Sequence, residues 1–503
     1  MRANHSIFYN ALLLTGVNFL LRGVAMLFQV YLSNRIGAAG VGLMQLVLTV
    51  EAVATTFGLS GARVAAMYLC AEEYGQRRMD GVRSAIRHCL LYGLVCSALF
   101  GGALFLGSDW IAARWLHERE AGACLRMAAL GLPVGCCGAI LGGYFTACDQ
   151  IGRLVRVEVA ERVACLLVTM LLLGFCGGGA AETCTAVLLG GNLTALAALA
   201  VLLAFVRRDC RGQRIRGGLD MGRRMAKLCA PLALSDYLRS GLRTLEQLLI
   251  PWGLMRFGQS YEAAMGDYGT ICGMVFPILM FPASLLYALS DLLVPELARC
   301  RAEEDLRRVR HLTEKCLRMG LLFAGAVAGL LFALAGALGE VVYGRAEVGQ
   351  YLRVFAPMVL SLYMDALVDG TLKGLGEQVA CVRYNTITTA MDAALLFLFL
   401  PRFGIAAYLG SFTVTHLVNF ALSLRRLLLV TGYVPEPAHV GKALFCTASA
   451  TAAAFAVFAV GPWATIFGRS AVFCAAFALL LGLTEAMTGA DVQWLRHALH
   501  AGD

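Results

Sequence analysis

Charge is scarce in this 503-residue sequence. Asp, Glu, Lys and Arg together supply 15 % of it, against about 25 % in an average globular protein. Hydrophobic residues supply 59 %, and mean hydropathy is +0.71. A single soluble core stops growing near ~250–300 residues, so this much apolar surface has no soluble interior to fill. A soluble enzyme is therefore excluded. So is a soluble domain on one anchor, because the apolar residues run from end to end. No Gly-x-x-x-x-Gly-Lys-Ser/Thr loop is present, which excludes ATP hydrolysis through a P-loop. The 18 cysteines include no Cys-x-x-Cys pair, so they offer no ready metal or redox motif. Scattered through apolar runs, they read as small packing residues. The loop 108–121, with Asp109, Glu118 and Glu120, is too short to carry paired-carboxylate catalysis. The chain reads as a non-enzyme without a cofactor.

What is present is a series of long apolar runs. They cover 7–33, 41–70, 84–107, 122–148, 155–176, 184–206, 225–255, 265–297, 310–337, 350–373, 383–401, 405–430, 441–461 and 467–488. Each meets the roughly 20 residues needed to cross a bilayer as a helix. Barrel strands are about half that length and alternate in polarity, so helices are expected. The first run contains Arg22 and lacks a small-residue cleavage site, which predicts a retained helix and not a signal peptide.

The formal charge of +9 does not call for nucleic acid, because the basic residues cluster in short loops. With the N-terminus inside, the inner loops include 71–88, 207–227 and 298–318. Inner segments then hold about 28 Lys and Arg and outer segments about 7, a strong positive-inside bias. Both termini are expected on the cytoplasmic side of a cell membrane.

Shifting the sequence by about 228 residues gives partial self-matches of the kind expected from an internal repeat. Segment 41–88 resembles 269–316, and 142–150 resembles 369–378. The expected architecture is an all-α polytopic membrane protein with about 14 transmembrane helices. A six-helix bundle over 1–206, a basic linker over 207–224 and a second six-helix bundle over 225–430 would form a parallel repeat about a pseudo-twofold axis. Residues 431–503 would add two helices and a tail.

Charges at mid-bilayer cost at least ~2.5 kcal/mol each, so intramembrane ones are candidate site residues. Thr15, Asn18, Arg22 and Gln29 share a stripe on the first helix, because residues three, four and seven apart lie on one helix face. Asp236, Arg239, Arg243 and Glu246 form a second stripe on the seventh, and Arg63 stands in the second. Two stripes on the leading helices of two halves suit a cavity for an anionic ligand, since guanidinium binds phosphate through paired hydrogen bonds. The alternative is internal ion pairing of these arginines with Asp236, Glu246 or Glu51. Asp365, Asp369 and Lys373 follow at four-residue steps in the tenth helix, with Asp392 and His416 nearby in sequence. They suit a coupling Na+ or proton, or a structural network. Pro133, Pro277, Pro282 and Pro357 predict kinks.

Residues 10–23 (Asn-Ala-Leu-Leu-Leu-Thr-Gly-Val-Asn-Phe-Leu-Leu-Arg-Gly) and 31–45 (Tyr-Leu-Ser-Asn-Arg-Ile-Gly-Ala-Ala-Gly-Val-Gly-Leu-Met-Gln) resemble the opening of the stage V sporulation protein B family. That family is a branch of the multidrug/oligosaccharidyl-lipid/polysaccharide flippase superfamily. Segments 143–150, 248–251 and 281–296 fit in the same order, as does 373–378 (Lys-Gly-Leu-Gly-Glu-Gln). The resemblance implies a MATE-like fold with a central cavity. It also implies alternating-access flipping of an undecaprenyl-linked glycan or peptidoglycan precursor, with polyprenyl-diphosphate glycan, membrane lipid and cell-wall synthesis proteins as partners. Lipid II flippases of that superfamily carry a cavity arginine in the first helix, a position that Arg22 fits. Gln29 departs from the pattern, which has a second basic residue there. An ion-coupled small-molecule antiporter and a non-transporting accessory to cell-wall synthesis remain alternatives.

Overall fold

The computed structural model describes residues 2–148, 150–209, 219–457 and 461–487. Half of the expected basic linker 207–224 (residues 210–218) and the tail beyond 487 lie outside them. Among the described residues the regular elements are all helical. Ten stretches are long and apolar enough to cross a membrane. The protein is thus an all-α, multi-pass membrane protein.

By contacts the chain divides into two compact units, 35–269 and 1–34 with 270–503. These contact units have other bounds than the halves 1–206 and 225–430 of the expected repeat: the first 34 residues group with 270–503, and the seventh expected helix groups with 35–269.

The unit 35–269 begins in α1 (Arg2–Leu59) and continues through α2 (Ala62–Gly75), α3 (Met79–Ile111), α4 (Ala121–Ala147), α5 (Ile151–Leu173), α6 (Ala180–Asp209), α7 (Leu219–Phe257) and α8 (Tyr261–Thr270). The expected separate helices 7–33 and 41–70 are the two limbs of α1, parted by a kink at Gly37, whose φ of 69° and ψ of 179° are not helical and suit a residue without a Cβ. The second limb ends at Ser60 and Gly61, both at positive φ, where the sequence reading has continuous helix. α7 closes onto this break. A Cβ on Gly61 would lie 3.0 Å from the Cys229 carbonyl, Tyr237 hydrogen-bonds Ser60, and the Phe57 and Tyr237 rings stack at 4.3 Å. Arg224 reaches Glu72 at 2.6 Å and Glu73 at 3.1 Å. These contacts place α7 in this unit. Its core joins α2, α3 and α4 through Leu69, Val82, Ile86, Ile140, Tyr144 and Phe145.

The glycine-rich stretch 37–42 is explained by packing. A Cβ on Gly42 would lie 2.3 Å from the Met265 carbonyl, and one on Gly269 would lie 2.0 Å from the Ala38 carbonyl. Such backbone contact is how helices associate where lipid offers no hydrophobic driving force. The Arg35 guanidinium donates to the carbonyls of Leu173 at 2.7 Å and Cys176 at 2.9 Å. It thereby adds a side-chain donor to the last carbonyl of α5 and to one in the turn that follows.

The second unit holds the first limb of α1, a π-helical turn at Ile271–Val275, then α9 (Phe276–Met280), α10 (Ala283–Ala302), α11 (Leu306–Tyr343), α12 (Ala346–Phe355), α13 (Val359–Gly374), α14 (Gln378–Phe403), α15 (Ile405–Thr431), α16 (Pro437–Phe455) and α17 (Pro462–Leu483). The expected helix 265–297 is broken twice, at the π turn before Pro277 and at Pro282. The expected helix 350–373 is broken by a 3-10 turn containing Pro357. Each proline lacks an N–H and so interrupts the ladder. Pro133, by contrast, stays inside α4. Gly325 and Gly329 let α11 meet Thr447 and Thr451 of α16, which seats the last two helices on α11.

Candidate substrate and ion site

The polar residues of α13, α14 and α15 face one another within the second unit. On α15, Ser411, Thr415, Asn419 and Ser423 recur at steps of four, which puts them on one face. Asn385, Thr388 and Asp392 share a face of α14, and Asp365 and Asp369 a face of α13. The three faces meet in a network centred on Asn419. Its amide nitrogen donates to Asp365 Oδ2 at 2.8 Å and to Asn385 Oδ1 at 3.1 Å, and its carbonyl accepts from Thr388 at 3.2 Å. Asn385 donates to Asp369 Oδ2 at 3.0 Å, and Ser423 to Asp369 Oδ1 at 3.2 Å.

The three expected acids thus have different surroundings. Asp392 is buried and accepts from the hydroxyls of Ser411 and Thr415. Asp369 has both carboxylate oxygens occupied. Asp365 has one oxygen on Asn419, while Oδ1 is buried with no partner among the described residues. Buried polar atoms are rarely left unpaired, so Asp365 is the acid of the network with an acceptor still to be satisfied. His416 packs against Phe412 with the rings tilted by 55° and their centroids 4.2 Å apart, and lies within electrostatic reach of Asp392.

The same unit carries the stripe of the first helix. Arg22 is exposed, and its guanidinium carbon lies 5.9 Å from the centre of the Tyr287 ring, within cation–π range. Tyr287 in turn is within electrostatic reach of both Arg22 and Asp365. Arg22 and Asp365 thus both lie near Tyr287, a link that sequence reading missed. Gln29 donates to the Gly273 carbonyl at 3.2 Å, inside the π turn. At this position the amide serves a broken backbone. The side chain of Asn18 lies outside the described residues.

The remaining candidates belong to the unit 35–269. Arg63 is exposed on α2, next to the Gly143 contact, where a Cβ would lie 2.6 Å from the Arg63 carbonyl. On α7, Asp236 and Glu246 are half-buried, while Arg239 and Arg243 are exposed. These two guanidiniums are available to a ligand or to lipid headgroups.

Sequence reading found the acids and arginines but missed Asn385, Asn419, Thr388, Ser411, Thr415, Ser423 and Tyr287. The signal was there: uncharged polar residues at steps of three and four in apolar helices. A search restricted to charge passes over them.

A helical chain with proline-broken spans, a polar network of α13, α14 and α15 in one unit and exposed arginines in both units is, as a class, a multi-pass helical membrane protein with polar residues among its spans. The model of the polysaccharide biosynthesis protein family matches residues 7–284, more than half of the chain, and the chain belongs to that family. Stage V sporulation protein B of Bacillus subtilis (strain 168) is 23 % identical to it over 408 residues, 80 % of this chain and 79 % of that protein. Among solved structures, the lipid II flippase MurJ in an inward closed conformation superposes with a TM-score of 0.68 at 12 % identity, covering 94 % of this chain and 98 % of that one. An inward-facing multidrug resistance MATE family transporter of the MOP superfamily gives 0.62 at 13 % identity, over 83 % and 96 %. At these identities the structural likeness speaks for the fold.

Proposed function

We propose that this protein is a flippase that moves an undecaprenyl-linked glycan or peptidoglycan precursor, of the lipid II kind, from the inner to the outer leaflet of a bacterial cell membrane. Both termini are cytoplasmic in this reading, and the halves 1–206 and 225–430 are related by the repeat. The observation that carries it is Arg22: an exposed guanidinium midway along an apolar run, held against Tyr287, in a chain of the polysaccharide biosynthesis family. A charge placed there is costly unless it serves a polar ligand or a water-filled path. The diphosphate of a polyprenyl-linked sugar is such a ligand for Arg22, whose helix also carries Asn18 and Gln29. In the other unit Arg239 and Arg243, with Arg63, Asp236 and Glu246, are separate candidate contacts for an anionic ligand. Family membership and the likeness to flippases support the substrate class.

Purified protein in liposomes is expected to accelerate translocation of a labelled polyprenyl-diphosphate sugar. Arg22→Ala and Arg243→Ala are expected to impair this while the protein stays folded. No acceleration over empty liposomes refutes the reading, and full transport by both variants removes the phosphate role.

A second reading, favoured by the unpaired oxygen of Asp365, is ion-coupled transport, with Asp365 as the site of Na+ or a proton, Asp369 beside it, and Asp392 as a structural acid. Transport that continues after the ion gradient is dissipated refutes the coupling. Loss of cell function by a variant that still transports would instead favour an accessory role among cell-wall synthesis proteins.

A further inference from the structure

A cavity of about 480 Å3 opens on the face of the α5–α6 pair, far in sequence from every candidate above and lined by these two helices alone. It lies where the start of α5 meets the end of α6. Three guanidiniums, those of Arg153, Arg156 and Arg208, stand at this end, with the Phe205 ring beneath Arg153 at 5.8 Å. Arg153 is held by Asp209 at 3.1 Å and 3.2 Å and by Gln150 at 3.0 Å. Asp209 also accepts from the buried Tyr144 at 3.3 Å, which anchors the cluster to α4. Arg156 and Arg208 are exposed.

Beyond the arginines the lining turns apolar, with Val157 and Ala164 on α5 and Ala197 and Val201 on α6; Glu161 is the one carboxylate among the lining residues. From Arg208 to Thr194 the groove follows fourteen residues of α6, or about 21 Å at 1.5 Å per residue. That exceeds half of a hydrocarbon core ~30 Å thick. A soluble phosphate fills only the charged end. A molecule with an anionic head and an alkyl chain fits the whole length, because its charge and its apolar part fall in the same order as those of the groove.

We infer that this groove binds an anionic phospholipid, its phosphate on Arg156 and Arg208 and one acyl chain along the alanine-lined wall. Basic pockets between membrane helices are a known means of holding such head groups. With the orientation given under Proposed function, the lipid comes from the inner leaflet; the binding itself depends on neither that orientation nor transport.

The test uses the full-length protein in mild detergent, with phosphatidylglycerol or phosphatidylcholine added and retained lipid read by mass spectrometry of the intact complex. The wild-type protein is expected to retain phosphatidylglycerol in preference. Each lost guanidinium weakens retention about fivefold, so Arg156→Gln with Arg208→Gln weakens it about 25-fold and leaves phosphatidylcholine unchanged. Ala164→Phe keeps the charges but fills the apolar wall, and is expected to weaken phosphatidylglycerol retention as well. It also stands as the second test should the double variant lower the unfolding temperature of the lipid-free protein. Equal retention of the two lipids by the wild type overturns the proposal. So does wild-type retention by both variants, and displacement of phosphatidylglycerol by inorganic phosphate would assign the arginines to a soluble anion. A flippase assay that fails while lipid preference persists would sink the functional reading alone.

Discussion

Arg35 offers the sharpest separation of structure from substrate. It stands in the family-like segment 31–45, where a conspicuous arginine invites assignment to the diphosphate. In the structure its guanidinium instead closes the end of α5, donating to the carbonyls of Leu173 and Cys176 at 2.7 Å and 2.9 Å. Arg35→Ala removes both bonds and leaves the two carbonyls without this donor. Hydrogen bonds between membrane helices average about 0.6 and reach about 1.7 kcal/mol each, so the pair amounts to roughly 1–3 kcal/mol. For a unit the size of 35–269, each kcal/mol moves the unfolding midpoint by about 2–4 °C, so a fall of roughly 3–10 °C is expected. Arg35→Lys keeps the charge but presents a single point donor where a planar fork spans two carbonyls, and should recover about half of the loss. The assay is thermal unfolding followed with a thiol-reactive dye. Buried free cysteines such as Cys70, Cys89, Cys124 and Cys184 become reactive when the units open. Transport by the folded fraction of Arg35→Ala should equal wild type. A wild-type midpoint together with lost transport would refute the reasoning and place Arg35 in the substrate path.

Three further outcomes follow from the packing. Gly269→Val forces a side chain to within 2.0 Å of the Ala38 carbonyl, and overpacking of this kind costs about 1–3 kcal/mol or more; yield of folded protein should collapse. Gly102→Ala, where nothing lies within 4 Å, should instead raise the unfolding midpoint slightly, because Ala gains about 0.5–1 kcal/mol over Gly in a helix. Asn419→Leu strips Asp365, Asn385 and Thr388 of a shared partner. It should lower the midpoint more than Asp392→Asn, which leaves both hydroxyl contacts in place; equal effects would show that Asn419 is not the hub.

The long apolar runs, the scarcity of charge and the asymmetry of Lys and Arg made the fold class legible without coordinates. So were the segments that carry the family resemblance, and the acids at Asp365, Asp369 and Asp392. Where helices stop was less so. Pro277, Pro282 and Pro357 mark breaks and Pro133 does not, although all four sit in apolar runs. The break at Ser60 and Gly61 carries no proline at all; its positive φ values are held by the α7 contacts of Tyr237 and Cys229.

The sequence by itself determined that this chain lies in a membrane as a bundle of helices, because transfer of apolar residues from water is summed over composition and period and needs no partner. Only the tertiary structure decided which polar residues meet. Asn419 joins Asp365 to Asn385, Tyr287 lies near both Arg22 and Asp365, Gln29 serves a π turn, and Arg35 closes a helix end. A hydrogen bond exists only at ~3 Å and in line, so partners that stand 34 to 244 residues apart along the chain are fixed by packing alone.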